Sequence, residues 1–302
     1  PLHLFLAPEK ASKSWKGVVR LNWLIVKNDF KRNKVINLAL FLFMMFSACL
    51  AVLSVVMAVQ TFTSISGLYE TAQPPHFMQM HKGEINQKKI DEFMSGYEGI
   101  TYWQTVAMID VYGENLTVVG SEGTYDLSGC RLDIGLVKKN EARDLLLNPG
   151  HEKVTLHKGE MGIPALLKEM YGMEIGDHVI LTGNDVTREF VIKEVILDSM
   201  MNSSMVSSTR ILLSDEDFEQ LSDRVGENEY LVEAYFTDSK EAADFQTAYE
   251  NAGLPQNGQA VTYTMIFLLS ALTDIVIVFV LLLVSMLLIV VSFICVRFTI
   301  MA

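Results

Sequence analysis

The sequence predicts a membrane protein in which two transmembrane α-helices flank one extracytoplasmic α+β domain. Three observations predict it: two long runs without charge, a basic N-terminal end, and an acidic middle. The 302 residues allow one or two domains with an ample core.

The first uncharged run lies between Lys34 and Glu70 and holds 35 residues, with its apolar centre at Val35–Val59. The second lies between Asp274 and Arg297 and holds 22. A helix needs roughly 20 apolar residues to cross a bilayer core about 30 Å thick, so both runs suffice. Neither Val35–Val59 nor the second run contains Pro or Gly, so no kink is written into them. Transmembrane helices are expected over 35–60 and 265–296. A cleaved signal fits poorly, because the first apolar stretch exceeds the 7–15 residues of a signal core. Cleavage at Cys49, as in a lipoprotein, would leave LAVLSVVMAV as a hydrophobic stub.

Lys and Arg beside the spans set orientation. Residues 1–34 carry eight basic and two acidic residues, whereas 61–264 carry 15 basic and 33 acidic. The basic ends are expected in the cytoplasm and 61–264 outside, in a multi-pass protein of the cell membrane. Within 1–34, Val18, Val19, Leu21, Leu24, Ile25 and Phe30 alternate with basic residues at helical spacing. This cytoplasmic segment is expected to lie on membrane lipids as a basic amphipathic helix or to pack on a partner. Cys49 and Cys295 fall inside the spans, which leaves Cys130 without an intramolecular disulfide partner outside.

Between the spans, residues 61–72 extend the first helix as a stalk until Pro74-Pro75 stops it. HFMQMH reads as a strand, and NQKKIDEFMS as a helix closed by Gly96. ITYWQTVAMIDVYG and LTVVG read as strands around a turn at Gly113-Glu114, and VKKNEARDLLLN (137–148) as a helix. GEMGIP leads into the short helix ALLKEMY with Gly172 as its cap, then a turn and strand at EIGDHVIL, and a further strand EFVIKEVIL. Ser214 and Asp217 form a cap pattern for the helix at 213–223. EYLVEAYF is a strand, SKEAADFQTAYENAG a helix, and 260–274 a second stalk.

No G-x-x-x-x-G-K-[ST], G-x-G-x-x-G, H-E-x-x-H or G-x-S-x-G occurs, so neither an enzyme nor a cofactor bound by this chain is expected. Nucleic acid is not an expected partner. His76, Met78, Met80 and His81 offer thioether and imidazole, which suit copper(I), with 76, 78 and 80 on one strand face. The plainer reading is a Met-rich core face followed by a solvated His-Lys pair. No resident metal is expected, and these four are the residues that would hold one. Asp274 and Arg297 bound the second span and are the membrane-boundary and coupling candidates, Asp274 being solvated at the outer end. Asn115-Leu116-Thr117 and Asn202-Ser203-Ser204 match the glycosylation pattern, which is too short to carry weight.

The order basic segment, span, α+β domain, span, together with GEMGIPALLKEMYGMEIGDHVIL, resembles the FtsX-like, MacB-type permeases of ABC transporters. KNDFKRNK, PPHFMQMHKG, LDSMMNSSMVSSTRILLSD, NEYLVEA, GLPQNG and VRFTIMA resemble bacterial, Firmicutes-type members in the same order, from about Trp15 to Ala302. The resemblance implies a domain like the MacB-type periplasmic core. It also implies that the chain is the N-terminal portion of a permease, with 297–302 opening a cytoplasmic segment. By the same resemblance an ABC ATPase partner binds ATP and Mg, and a second permease copy or half completes the assembly. Outside, the domain would handle a peptide or lipoprotein substrate by mechanotransmission, or serve export. A two-span sensor with an extracytoplasmic ligand-binding domain has the same topology.

Overall fold

A computed structural model describes residues 34–301 except 122, 139–140, 184–185, 202–206 and 259. The amphipathic segment 1–34 lies outside the described residues except for Lys34, as does the Asn202 acceptor site. In chain order the elements begin with α1 (Lys34–Ala72), β1 (Phe77–Lys82), α2 (Gln87–Gly96), β2 (Ile100–Val111) and β3 (Leu116–Gly120). They continue with β4 (Gly123–Asp126), β5 (Asp133–Val137), β6 (Glu160–Pro164), α3 (Ala165–Tyr171), β7 (His178–Thr182) and β8 (Thr187–Ile196). The rest are β9 (Ser208–Leu213), α4 (Asp215–Leu221), β10 (Glu227–Phe236), α5 (Ala242–Asn251), β11 (Val261–Thr262) and α6 (Tyr263–Met301). The chain divides into two units, residues 60–273 and the described parts of 1–59 with 274–302.

Two helices are long and apolar enough to cross a membrane, with spans at Asn37–Ala72 in α1 and Ile275–Cys295 in α6; the smaller unit takes α1 up to Val59 and α6 from Asp274 onward. Large apolar side chains are exposed along Leu38–Val59 and Ile275–Ile294, as lipid exposure requires. Where the helices touch, Ser47 and Ser285 exchange hydrogen bonds: each hydroxyl donates to the other's carbonyl, at 3.1 and 3.0 Å. Small side chains let backbones approach, and hydroxyls supply the polar link that hydrocarbon cannot.

The larger unit is an α+β domain whose described strands form one mixed sheet, in the order β11-β1-β10-β2-β5-β9-β6-β8-β7-β3-β4. Neighbours are antiparallel except β5/β9 and β6/β8. On β10 alternate residues serve different cores. Val232, Ala234 and Phe236 face a cluster with α2 and α5, whereas Leu231 faces one with Met78, Met108 and Met200. Both faces are therefore covered, and Leu231–Phe236 is buried throughout rather than on alternate residues. A third core joins β3, β5 and β6–β9 to α3 and α4.

Local signals behave as the sequence implies. Ser214 caps α4 through the Asp217 amide, as its spacing implies, and Asn86, which the sequence reading did not single out, caps α2 by accepting from the Lys89 amide. Gly172 closes α3 at φ 66, a conformation that suits glycine. One expected element is missing. Residues 137–148 contain no helix among the described residues: β5 ends at Val137, and Asp144 takes φ 54 where its side chain and amide are drawn into tertiary contacts. β2 and β3 flank the expected turn at Gly113-Glu114, though they do not pair with each other: β2 lies between β10 and β5, and β3 between β7 and β4. Gly96 is the last residue of α2 rather than its cap, which is Tyr97.

Phe245 on α5 is the hub of the α2/α5 core, with ring centroids 4.8 Å from Phe77, 4.9 Å from Tyr97 and 5.0 Å from Phe236. Phe245→Ala should cost about 3–5 kcal/mol, the usual range for emptying such a site. Urea unfolding followed by tryptophan fluorescence checks this; a loss below about 1 kcal/mol contradicts the packing.

Candidate functional site

The features that stand apart from core packing gather where α1 ends. Pro74 and Pro75 stop the helix, and Gln73 turns out of it at φ 50. A helix end leaves carbonyls without intrahelical partners. Here the Asp144 amide donates to the Gln73 carbonyl at 3.1 Å and the Leu145 amide to that of Ala72 at 2.9 Å. The start of α6 joins the same place. Tyr69 meets Tyr263 and Phe267 edge-on at 5.3 and 5.7 Å, and the Tyr263 amide donates to the His76 carbonyl at 2.9 Å.

Beneath this junction lies a buried charge cluster. Arg210, 2% exposed, donates to both Asp198 oxygens at 2.6 Å and to Asp144 Oδ2 at 2.5 Å. Burial works against the Asp198 carboxylate, but Arg210, with the Met200 and Met201 amides, still holds it below the usual carboxylate range. Glu233 sits beside Asp144, while the guanidinium itself pairs with Asp144 and Asp198. Glu233 Oε2 accepts from Gln104 Nε2 at 2.7 Å and from the Tyr235 hydroxyl at 3.0 Å. Glu233 Oε1 and Asp144 Oδ1 find no N–H or O–H donor among the described residues. A proton on Glu233 resolves both, because the acid can then donate to the carboxylate. Burial first, and Asp144 second, push Glu233 well above its ordinary range, so it is held neutral. A second buried acid, Glu229, is pushed up to about 7 by burial and by Asp110, whose own carboxylate pairs with Lys82 at 2.5 Å.

Above the cluster opens a cavity of about 780 Å³ within the larger unit. Tyr69, Tyr235, Tyr263 and Phe267 give it aromatic walls, with Arg143 and His76 as its basic groups. The Arg143 guanidinium lies over the Tyr102 and Tyr235 rings, 4.8 and 4.9 Å from their centroids, and forms no ion pair among the described residues. His76 Nδ1 accepts from the Phe236 amide at 2.9 Å, which leaves the ring proton on Nε2. Burial, then Arg143, lowers the His76 pKa, so the ring is neutral near pH 7.

The four residues considered for copper are not brought together. Met78 is buried and Met80 partly buried in one core, where Met80 Sδ accepts from the Ser208 hydroxyl at 3.8 Å. His76 turns to the cavity, and His81 Nε2 meets the Glu84 carbonyl at 2.9 Å. Asp274 lies in α6 just before the apolar span, and Arg297 is exposed two residues after it. Cys130 is a free, partly buried thiol. Sequence reasoning missed Arg143, Asp144, Arg210 and Glu233, since no motif links them. The one available signal was an Arg-Asp pair opening the apolar run DLLL.

No family model matches the chain, and no curated protein matches it. Among solved structures, the periplasmic region of MacB from Actinobacillus actinomycetemcomitans is similar at 11% identity and a TM-score of 0.34, over 64% of this chain and 91% of that one. A domain of a putative permease protein from Porphyromonas gingivalis is similar at 17% identity and a TM-score of 0.30, over 58% and 70%. These scores are low, and the sheet order and the site stand on the chain's own geometry.

Two outcomes test the cluster. Arg210→Met strands Asp198 and Asp144 as buried charges and should cost about 3–5 kcal/mol in chemical unfolding. A cost under about 1 kcal/mol would mean the pair is not buried as described. For Glu233 the folded pKa is raised, so stability is full below the unfolded value near 4.5 and falls as pH rises toward the folded one. Glu229 adds a fall between about 4.5 and about 7. Glu233→Gln, which can still donate to Asp144, should flatten part of that decline and exceed wild type in stability at about pH 8. A stability difference that stays constant from about pH 4.5 to pH 8 excludes a retained proton.

Proposed function

We propose that the chain is a permease component of an ABC transporter, passing motion between a membrane and an α+β domain outside it. The observation that carries this reading is that the two stalks, 61–72 and 260–274, are joined to each other through Tyr69, Tyr263 and Phe267, and the first to the 144–145 segment of the domain. A displacement of either helix end is then felt by the sheet through hydrogen bonds rather than through a loose linker. The two apolar helices and the ordered sequence segments quoted above support the same reading. The acidic domain lies outside and the basic segment 1–34 in the cytoplasm, following the charge asymmetry.

In this reading a partner ATPase binds ATP and Mg, a second permease copy or half completes the assembly, and the outer domain acts on a peptide, lipid or lipoprotein. Such transmission needs no reacting residue in this chain. Its requirement is that the stalk ends stay fixed to the domain.

The full-length protein should co-purify with an ATPase subunit and alter its ATP turnover. Tyr69→Ala, which loosens the stalk pairing, should uncouple turnover from transport while leaving the complex assembled. Purification without any ATPase, or with a kinase instead, would discard the permease reading in favour of a sensor.

A further inference from the structure

The cavity at the stalk ends has donors for which no described residue supplies an acceptor. Arg143 has one face against Tyr102 and Tyr235 and lines the cavity, yet pairs with no carboxylate among the described residues. Its neighbour Asp144 is committed to Arg210 instead. His76 Nδ1 is taken by the Phe236 amide, so its second nitrogen carries a hydrogen that no described group accepts. The Ser66 and Ser239 side chains line the same space. A half-buried guanidinium and an imidazole N–H in one cavity make a receptor for a planar oxyanion, because charge-assisted bonds gain strength where water is thinned.

Charge at the rim narrows the class. Glu70 and Asp238 also line the cavity and are exposed, with Asp238 accepting from the Lys240 amide. Their negative charge disfavours a dianion more than a monoanion. The walls are aromatic, and a volume of about 780 Å³ exceeds what a bare carboxylate fills. The geometry points to a binding site for a monoanionic carboxylate carried on an apolar body, with Arg143 and His76 gripping the carboxylate and the rings of Tyr69, Tyr235, Tyr263 and Phe267 holding the body.

Such a ligand touches residues of both stalks and of the sheet at once, so its occupancy would be sensitive to the stalk positions. Binding itself requires no ATPase, which separates this inference from the permease reading: either can fail while the other stands.

Calorimetric titration of the chain in nanodiscs tests it with three probes: N-acetyl-phenylalanine, its neutral amide, and phenyl phosphate. The carboxylate should bind about tenfold or more tightly than the amide, as loss of a charge-assisted contact implies. Phenyl phosphate should bind more weakly than the carboxylate at about pH 7, where it is largely dianionic. Arg143→Met, which keeps an apolar chain over the two tyrosines, should abolish the preference for acid over amide. Equal binding of acid and amide to the wild type overturns the proposal without reference to any variant. Tighter binding of the phosphate overturns the carboxylate class, and an unchanged acid preference in Arg143→Met overturns the assignment to that residue.

Discussion

Arg210 is the constraint from which the architecture around the stalks follows. It stands on β9, between β5 and β6 in the sheet, and is almost fully buried. A buried guanidinium without acceptors is untenable, so the chain must bring carboxylates to it. Asp198, just beyond β8, supplies both oxygens, and Asp144, just before a segment bridged to Leu197, supplies one. Two segments distant in sequence are thereby pulled onto one point of the sheet. Apolar residues of the same volume would pack there at no electrostatic cost, but they would not specify which segments meet.

The same cluster explains why the sheet is polar at its centre. Glu233 faces the core that holds Met78, Leu231 and Met108, an unusual position for an acid. It is tolerated because Gln104 and Tyr235 donate to one oxygen and a retained proton occupies the other. Tyr235 then has a second use: its ring, with that of Tyr102, forms the floor on which Arg143 rests. The neutral acid below and the cation above are thus parts of one arrangement, connected through a single tyrosine.

What was legible in the sequence was whatever a short stretch decides alone. The apolar runs, the caps at Ser214 and Gly172, and the stop at Pro74-Pro75 are settled by neighbours within a few residues. The segment 137–148 shows the opposite case. VKKNEARDLLLN has helical spacing, yet Asp144 has its partner 66 residues away and its amide is taken by Gln73. Tertiary bonds of that kind outweigh propensities of a few tenths of a kcal/mol per residue. His76 was noticed for its proximity to methionines, but its role depends on Phe236 and Arg143, which no pattern in the sequence places beside it. Likewise the order of the sheet, with β2 and β3 far apart, is fixed by which cores each strand must close, not by the turn between them.

A stalk can transmit displacement only if its end is fixed, and helix ends are ordinarily the softest part of a helix. Here the last carbonyls of α1 are received by the amides of Asp144 and Leu145, so a distant loop acts as the helix cap. That loop holds its unusual backbone at Asp144, φ 54, because the side chain is bound to Arg210. Strained backbone persists where its surroundings over-determine it. The sequence of constraints therefore runs from Arg210 to Asp144 to Gln73, and a weakening anywhere along it softens the point at which the stalk meets the sheet. The cavity opens on that same point, lined by Gln73, Arg143 and Tyr263 together. Whatever fills it adds a further contact to an end that hydrogen bonds already hold, and any motion of the stalk must change the shape offered to that occupant.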